Sequence, residues 1–140
     1  MKILEVLTRQ RLTGNFGEDA AVKFLKKSGY KILRRNFVAD KNEIDVIARH
    51  KDTVAFIEVK SRHVGTLGAF EARPAAAVTK EKQRKIISCS AKIKPLMPRG
   101  CRMRFDIIEV YIAEKNGRDT VQEIKHLLGA FDLNSAYAKH

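Results

Sequence analysis

The stretch from Thr53 to Ser61, TVAFIEVKS, constrains the fold more than any other part of the chain. Its β-branched and aromatic residues read as a strand. Ala55, Ile57 and Val59 make one face apolar, and Val54 and Phe56 make the other face apolar too. A strand without a polar face belongs in the middle of a sheet covered on both sides. Glu58 and Lys60 nevertheless project from the Val54 and Phe56 face, because side chains alternate along a strand, and charges that are half-buried need partners.

The neighbouring sequence supplies a sheet around this strand. YKILRRNF (Tyr30 to Phe37) and NEIDVIAR (Asn42 to Arg49) precede it as two further strands divided by short polar turns, and the three form a meander. Upstream, Ala21, Phe24 and Leu25 mark the apolar stripe of a helix from about Thr13 to Ser28, stopped by Gly29. Downstream, RHVGTLGAFEARP (Arg62 to Pro74) reads as a loop, of a length that often carries function. A second helix runs from an N-cap at Thr79 to about Lys94, with Ile86, Ile87, Ser90 and Ile93 on one face and Pro95 and Pro98 helping to end it. RMRFDIIEVYI (Arg102 to Ile112) and TVQEIKHL (Thr120 to Leu127) are the last two strands, joined by a hairpin at Asn116-Gly117. The expectation is a single α/β domain over 1–133, in the order α-β-β-β-α-β-β, with a disordered tail over 134–140.

The central hairpin is where chemistry gathers. A tight turn at Lys51-Asp52 sets Asp45 opposite Glu58 and Glu43 opposite Lys60. Opposed residues have Cβ atoms about 5 Å apart, and two carboxylates at that distance repel by roughly 3 kcal/mol at an effective dielectric of about 20. Either a shared proton or a hard divalent cation, Mg2+ or Mn2+, offsets this. In the second case Asp45 and Glu58 are metal ligands and the Val59 carbonyl is a further one. Lys60 then points at whatever the metal binds, where an ammonium can stabilise developing charge or orient the attacking water. The plainer alternative is a solvent-facing row in which Lys60 pairs with Glu43.

Glu18 sits at the edge of the first helix's apolar stripe, turned toward the sheet. It is either a further metal ligand, directly or through water, or an ordinary boundary residue. The second helix opens with Lys80, Lys82, Arg84 and Lys85, whereas Gln83 shares the face of Ile86, Ile87 and Ser90 and should look inward. Asp106 is either another inward polar residue or only a strand-edge charge, and a structural role is the favoured reading. The 28 Lys and Arg against 16 Asp and Glu leave a net charge of +12, so a polyanion is the first partner to consider. Arg62, Lys80, Lys82, Gln83 and Arg84 are the candidate nucleic-acid contacts. Cys89 and Cys101 lack zinc-ligand spacing and read as thiols of a reducing compartment, which points to the cytoplasm. No stretch approaches the roughly 20 apolar residues of a membrane span, and the amino-terminal apolar run is too short for a signal peptide.

A helical Glu18, then Asp45, then Glu58-Val59-Lys60 on the next strand, then Lys80 or Gln83 on a helix, resembles the PD-(D/E)xK nuclease superfamily. The contexts FGEDAAVKFLKKSGYKILRRNF, NEIDVIA, FIEVKSR and RFDIIEV look like the YraN-type bacterial proteins, a family of endonuclease-like fold, over about Gly14 to Leu133. The resemblance implies a restriction-endonuclease-like core similar to Holliday-junction resolvases, with a central mixed five-stranded sheet flanked by helices. It implies Asp45, Glu58, Lys60 and Glu18 as catalytic residues, and Mg2+ or Mn2+ held by Asp45, Glu58, Glu18 and Val59. The implied reaction is phosphodiester hydrolysis in a nucleic acid, DNA ahead of RNA. A homodimer is also implied, since junction-cutting relatives of this fold work as dimers. The alternative is a catalytically inactive basic module that binds nucleic acid on the same fold. Where the family has Gly before Glu-Ile-Asp, this chain has Asn42, and Asn tolerates the left-handed conformation expected of a turn there. The stretch GTLGAFEARPAAAVT departs from the family's shorter loop.

Overall fold

The computed structural model describes residues 16–64 and 78–138. The expected start of the first helix near Thr13 and most of the loop before Thr79 lie outside the described residues. The first helix, α1, covers 16–27. It stops where Gly29 takes a φ of +92°, so that the Tyr30 N–H reaches the Leu25 carbonyl at 2.9 Å and the Gly29 N–H the Lys26 carbonyl at 3.1 Å. Those paired bonds satisfy carbonyls that a helix end otherwise leaves free.

Five strands follow, β1 (Lys31–Ala39), β2 (Asn42–His50), β3 (Thr53–His63), β4 (Arg102–Lys115) and β5 (Arg118–Phe131), and they lie side by side in that order. All neighbours are antiparallel except β3 and β4, which run parallel. A parallel pair needs a crossover, and the segment between them carries the second helix, α2 (Lys80–Ser90). Its N-cap is Thr79, whose hydroxyl accepts the Lys82 N–H at 3.1 Å. The helix ends earlier than the Lys94 expected, and a short 3-10 turn at Lys94–Leu96 carries Pro95, which has no N–H to continue an α-helix.

The sequence order α-β-β-β-α-β-β is thus realised as a mixed sheet with a helix on each face. Ala55 and Ile57 of β3 pack with Ala21, Val22 and Leu25 of α1, while Val54 and Phe56 pack with Ile86 and Cys89 of α2. The central position of β3 follows from that two-sided apolar pattern.

The three hairpins turn at two residues each. Asn116 and Gly117 both have positive φ, 55° and 74°, as the Asn-Gly pair foretells. The first turn corrects an expectation: Asp40 and Lys41 carry the positive φ values, 52° and 67°, and Asn42 opens β2 opposite Ala39. The tail is corrected as well. Leu133–Tyr137 form a third helix, α3, rather than a disordered end. Asp132 accepts the Ser135 N–H at 2.8 Å, and Ser135 Oγ accepts the Asp132 N–H at 2.9 Å, a reciprocal cap that starts the helix. Ala136 is fully buried, and Lys80 and Arg84 of α2 donate to the carbonyls of Ala138 and Ala136 at 2.9 and 2.8 Å.

Candidate functional site

The turn at Lys51 and Asp52 sets the register of β2 on β3, which pair from His50 with Thr53 to Val46 with Ile57. One step further along lie Asp45 and Glu58, and their carboxyls act directly on one another. Asp45 is steadied by the backbone, since its Oδ2 accepts the Val59 N–H at 2.8 Å. Val59 thus meets Asp45 through its N–H.

Glu58 is only 5% exposed. Its Oε1 faces two ammonium groups, Lys60 Nζ at 3.7 Å and Lys82 Nζ at 3.9 Å. Its Oε2 is buried with no hydrogen-bond partner among the described residues. Burial first, and the Asp45 carboxylate second, push the Glu58 carboxyl up to about 7, against the pull of Lys82 and Lys60. Burial also raises Asp45, where the Val59 N–H opposes it. Burial thus raises both the buried Glu58 and the half-buried Asp45, and the two ammonium groups offset it only in part.

Glu18 of α1 stands close enough for Asp45 to raise its pKa, after burial as the larger cause. Its Oε1, however, accepts from Nε and Nη2 of Arg35, both at 3.3 Å. Among the described residues no three Asp, Glu, His or Cys side chains group closely enough to hold a metal ion together. Asp45 and Glu58 form the pair, and Glu18 is adjacent to it. The close approach of α1 comes from Gly17, where a Cβ would fall 1.9 Å from Ser61 Oγ.

The expected nucleic-acid contacts divide. Lys82 comes to Glu58. Lys80 and Arg84 hold α3, with Arg84 also 5.0 Å above the Tyr137 ring. Gln83 looks inward as expected, donating to the Val78 carbonyl at 3.1 Å and burying an Oε1 that has no partner among the described residues. Arg62 donates to Glu109 Oε2 at 3.4 Å. Glu43 lies opposite Val38 and is exposed, and the carboxylate that Lys60 meets is Glu58.

Sequence reasoning named Lys82 as a nucleic-acid contact without foreseeing that it meets Glu58, and it passed over Arg35 and Glu109 altogether. Glu109 did leave a signal, because it interrupts the apolar alternation of Phe105, Ile107 and Tyr111 in β4. Asp106 takes the structural role expected of it. It is fully buried on the opposite face and accepts from Arg104 twice at 2.8 Å, from the Gly129 N–H at 2.9 Å, and meets His126 Nε2 at 2.8 Å. Despite burial, the bonds from His126, Arg104 and Gly129 hold its carboxyl below the usual range.

Fold and site together define an α/β protein in which β2 and the doubly covered β3 bring a half-buried Asp45 to a buried Glu58 that two lysines face. Among the described residues no helix is long and apolar enough to cross a membrane. The description "Uncharacterised protein family UPF0102" matches residues 17–110, and the chain belongs to that family. It is 40% identical over 132 residues to a UPF0102 protein of Desulfosudis oleivorans, covering 94% of this chain and 98% of the relative. A UPF0102 protein of Caldicellulosiruptor saccharolyticus is 41% identical over 108 residues, 76% of this chain and 88% of its own. One from Caldanaerobacter subterraneus is 38% identical over 128 residues, 87% of this chain and 96% of its own.

Proposed function

We propose that this chain is a metal-dependent nuclease or nuclease-like nucleic-acid-processing protein that hydrolyses phosphodiesters in DNA or RNA. The observation that carries the reading is the buried Glu58 Oε2, unpartnered among the described residues, beside Asp45. An oxygen-only donor set held out of water suits a hard cation, Mg2+ or Mn2+, which Asp45 and Glu58 would hold, with Glu18 nearby. When bound, such a cation supplies Lewis-acid polarisation of the phosphate and an acidified water. The chain's own groups do the rest. The Val59 N–H fixes Asp45. Lys60 and Lys82, each about one-third exposed, offer ammonium groups to the charge that develops on phosphate oxygens. The net charge of +12 favours a polyanion. The free thiols Cys89 and Cys101 suit a cytoplasmic setting.

A second reading, an inactive nucleic-acid-binding module, is favoured by Arg35 occupying Glu18. In it a proton on Glu58 takes the place of the cation. One experiment separates the two: duplex, single-stranded and four-way-junction DNA and RNA, each incubated with the protein in Mg2+, Mn2+ or EDTA. Cleavage that needs the metal and disappears in both Glu58→Ala and Lys60→Ala supports the nuclease. Binding without cleavage under every metal, unchanged in both variants, rejects it in favour of the module.

A further inference from the structure

Beside the carboxylate pair, on the same face of the sheet, lies a second group of charges. Residues 58, 60 and 62 of β3 project from one face, and the parallel register sets Lys60 beside Glu109 and Arg62 beside Tyr111. Arg62 does not simply stand over its neighbour. Its Nη2 donates to Oε2 of Glu109, a residue level with Lys60, so the pair bridges one pleat repeat, about 6.6 Å along the strands, on the side of Lys60 and Glu58.

Glu109 is only 3% exposed and its neighbours hold it in place. Tyr111 donates to its Oε1 at 3.3 Å. Lys125 lies opposite it on β5, with Nζ 5.2 Å above the Tyr111 ring. The Arg62 side of the pair is incomplete by comparison. Arg104 meets Asp106 with Nε and Nη2, both at 2.8 Å, a saturated bidentate pair in the same sheet. Arg62 gives Glu109 one long bond, and its Nε is buried without a partner among the described residues. A guanidinium has five N–H donors in a fixed fork, and here the fork is aimed but underused while 27% of the side chain stays exposed.

We propose that Arg62 is the second phosphate contact of the site, next to Lys60, and that the buried Glu109, tied to Tyr111, is the positioning residue that aims it. The inference rests on the nucleic-acid reading above and assigns Arg62 the phosphate adjacent to the one at Glu58. Glu109 acts through Arg62 and touches no substrate.

The test is binding of fluorescein-labelled 20-mer single-stranded DNA and a labelled four-way junction, followed by anisotropy between 50 and 200 mM KCl in EDTA, with urea midpoints to check the fold. Arg62→Gln should weaken binding about tenfold and make the log–log salt slope shallower by about one, the signature of one lost phosphate contact. Glu109→Gln gives the decisive sign. If Glu109 were only a negative charge, removing it would tighten a polyanion; a residue that aims Arg62 loosens it when removed, by about threefold or more. In the Arg62→Gln background Glu109→Gln should then change nothing. That double variant leaves no buried charge unpaired, so it reports even if a single variant folds poorly.

Wild-type protein that binds neither probe overturns this inference together with the nucleic-acid reading. Wild-type binding with an unchanged slope in Arg62→Gln, or tighter binding in Glu109→Gln, overturns this inference alone.

Discussion

Glu58→Gln tests the electrostatics of the site most directly. The folded-state carboxyl is pushed up to about 7 from an ordinary 4.5, mainly by burial and then by Asp45. Between those two values the folded protein keeps a proton that the unfolded chain has already released, so stability falls as pH rises through this window. The difference of about 2.5 pH units, at about 1.4 kcal/mol each, amounts to about 3.5 kcal/mol lost between pH 4.5 and pH 7 and absent below it. Gln has the shape and hydrogen-bonding capacity of the protonated acid and cannot ionise. In EDTA the variant should therefore match wild type near pH 4.5 and exceed it by about 3.5 kcal/mol at pH 8, a urea midpoint about 1.7 M higher if m is about 2 kcal/mol/M. Mg2+ at pH 8 should raise the wild-type midpoint and leave the variant's unmoved, because only the wild type gains a ligand that binds the folded state. Asp106 does not blur the measurement. Its carboxyl is held below 3.8, so its contribution is lost only as pH falls beneath that value. Parallel pH profiles for wild type and Glu58→Gln would refute the reasoning, since they would mean that burial and Asp45 do not hold the proton on Glu58.

Three further outcomes follow from other contacts. Asp106→Ala removes the acceptor for Arg104, His126 and the Gly129 N–H at once and should cost about 3–5 kcal/mol in urea unfolding; a loss below about 1 kcal/mol contradicts a load carried there. Gly17→Ala places a methyl 1.9 Å from Ser61 Oγ and 3.2 Å from its Cβ, which should destabilise by about 1–3 kcal/mol, with much of the loss recovered in Gly17→Ala/Ser61→Gly. Lys82→Ala takes away one of the two ammonium groups that lower the Glu58 pKa, so the carboxyl titration followed by NMR should move to higher pH. An unmoved titration means that Lys82 does not reach Glu58 in solution.

The helix-sheet order, the central place of β3 and the meeting of Asp45 with Glu58 were legible in the residues. Each depends on short-range physics. The two-sided apolar pattern of Val54 to Val59 demands cover on both faces. The Lys51-Asp52 turn sets an antiparallel register within a few residues, and the parity of side chains then decides which ones share a face. The cap at Thr79 and the Asn116-Gly117 turn are local in the same way.

What lay beyond the sequence involves partners brought from far along the chain. Helical periodicity marks an apolar face but does not say which charged neighbour meets which group, so Lys82 at Glu58 and Lys80 and Arg84 at α3 could not be told apart. The polar end of the chain hides α3, whose single buried residue, Ala136, is covered only once α2 is in place. Arg35 reaches Glu18 only because β1 passes the start of α1. The register of β3 on β4 has no turn to set it, since a parallel pair is joined through a long crossover. Sequence by itself therefore determined the sheet, its covered central strand and the carboxylate pair on the central hairpin, because adjacent residues and tight turns dictate them. Tertiary structure alone decided which cations surround that pair and that Glu109 stands behind Arg62, because those contacts depend on packing between segments with no local sequence link.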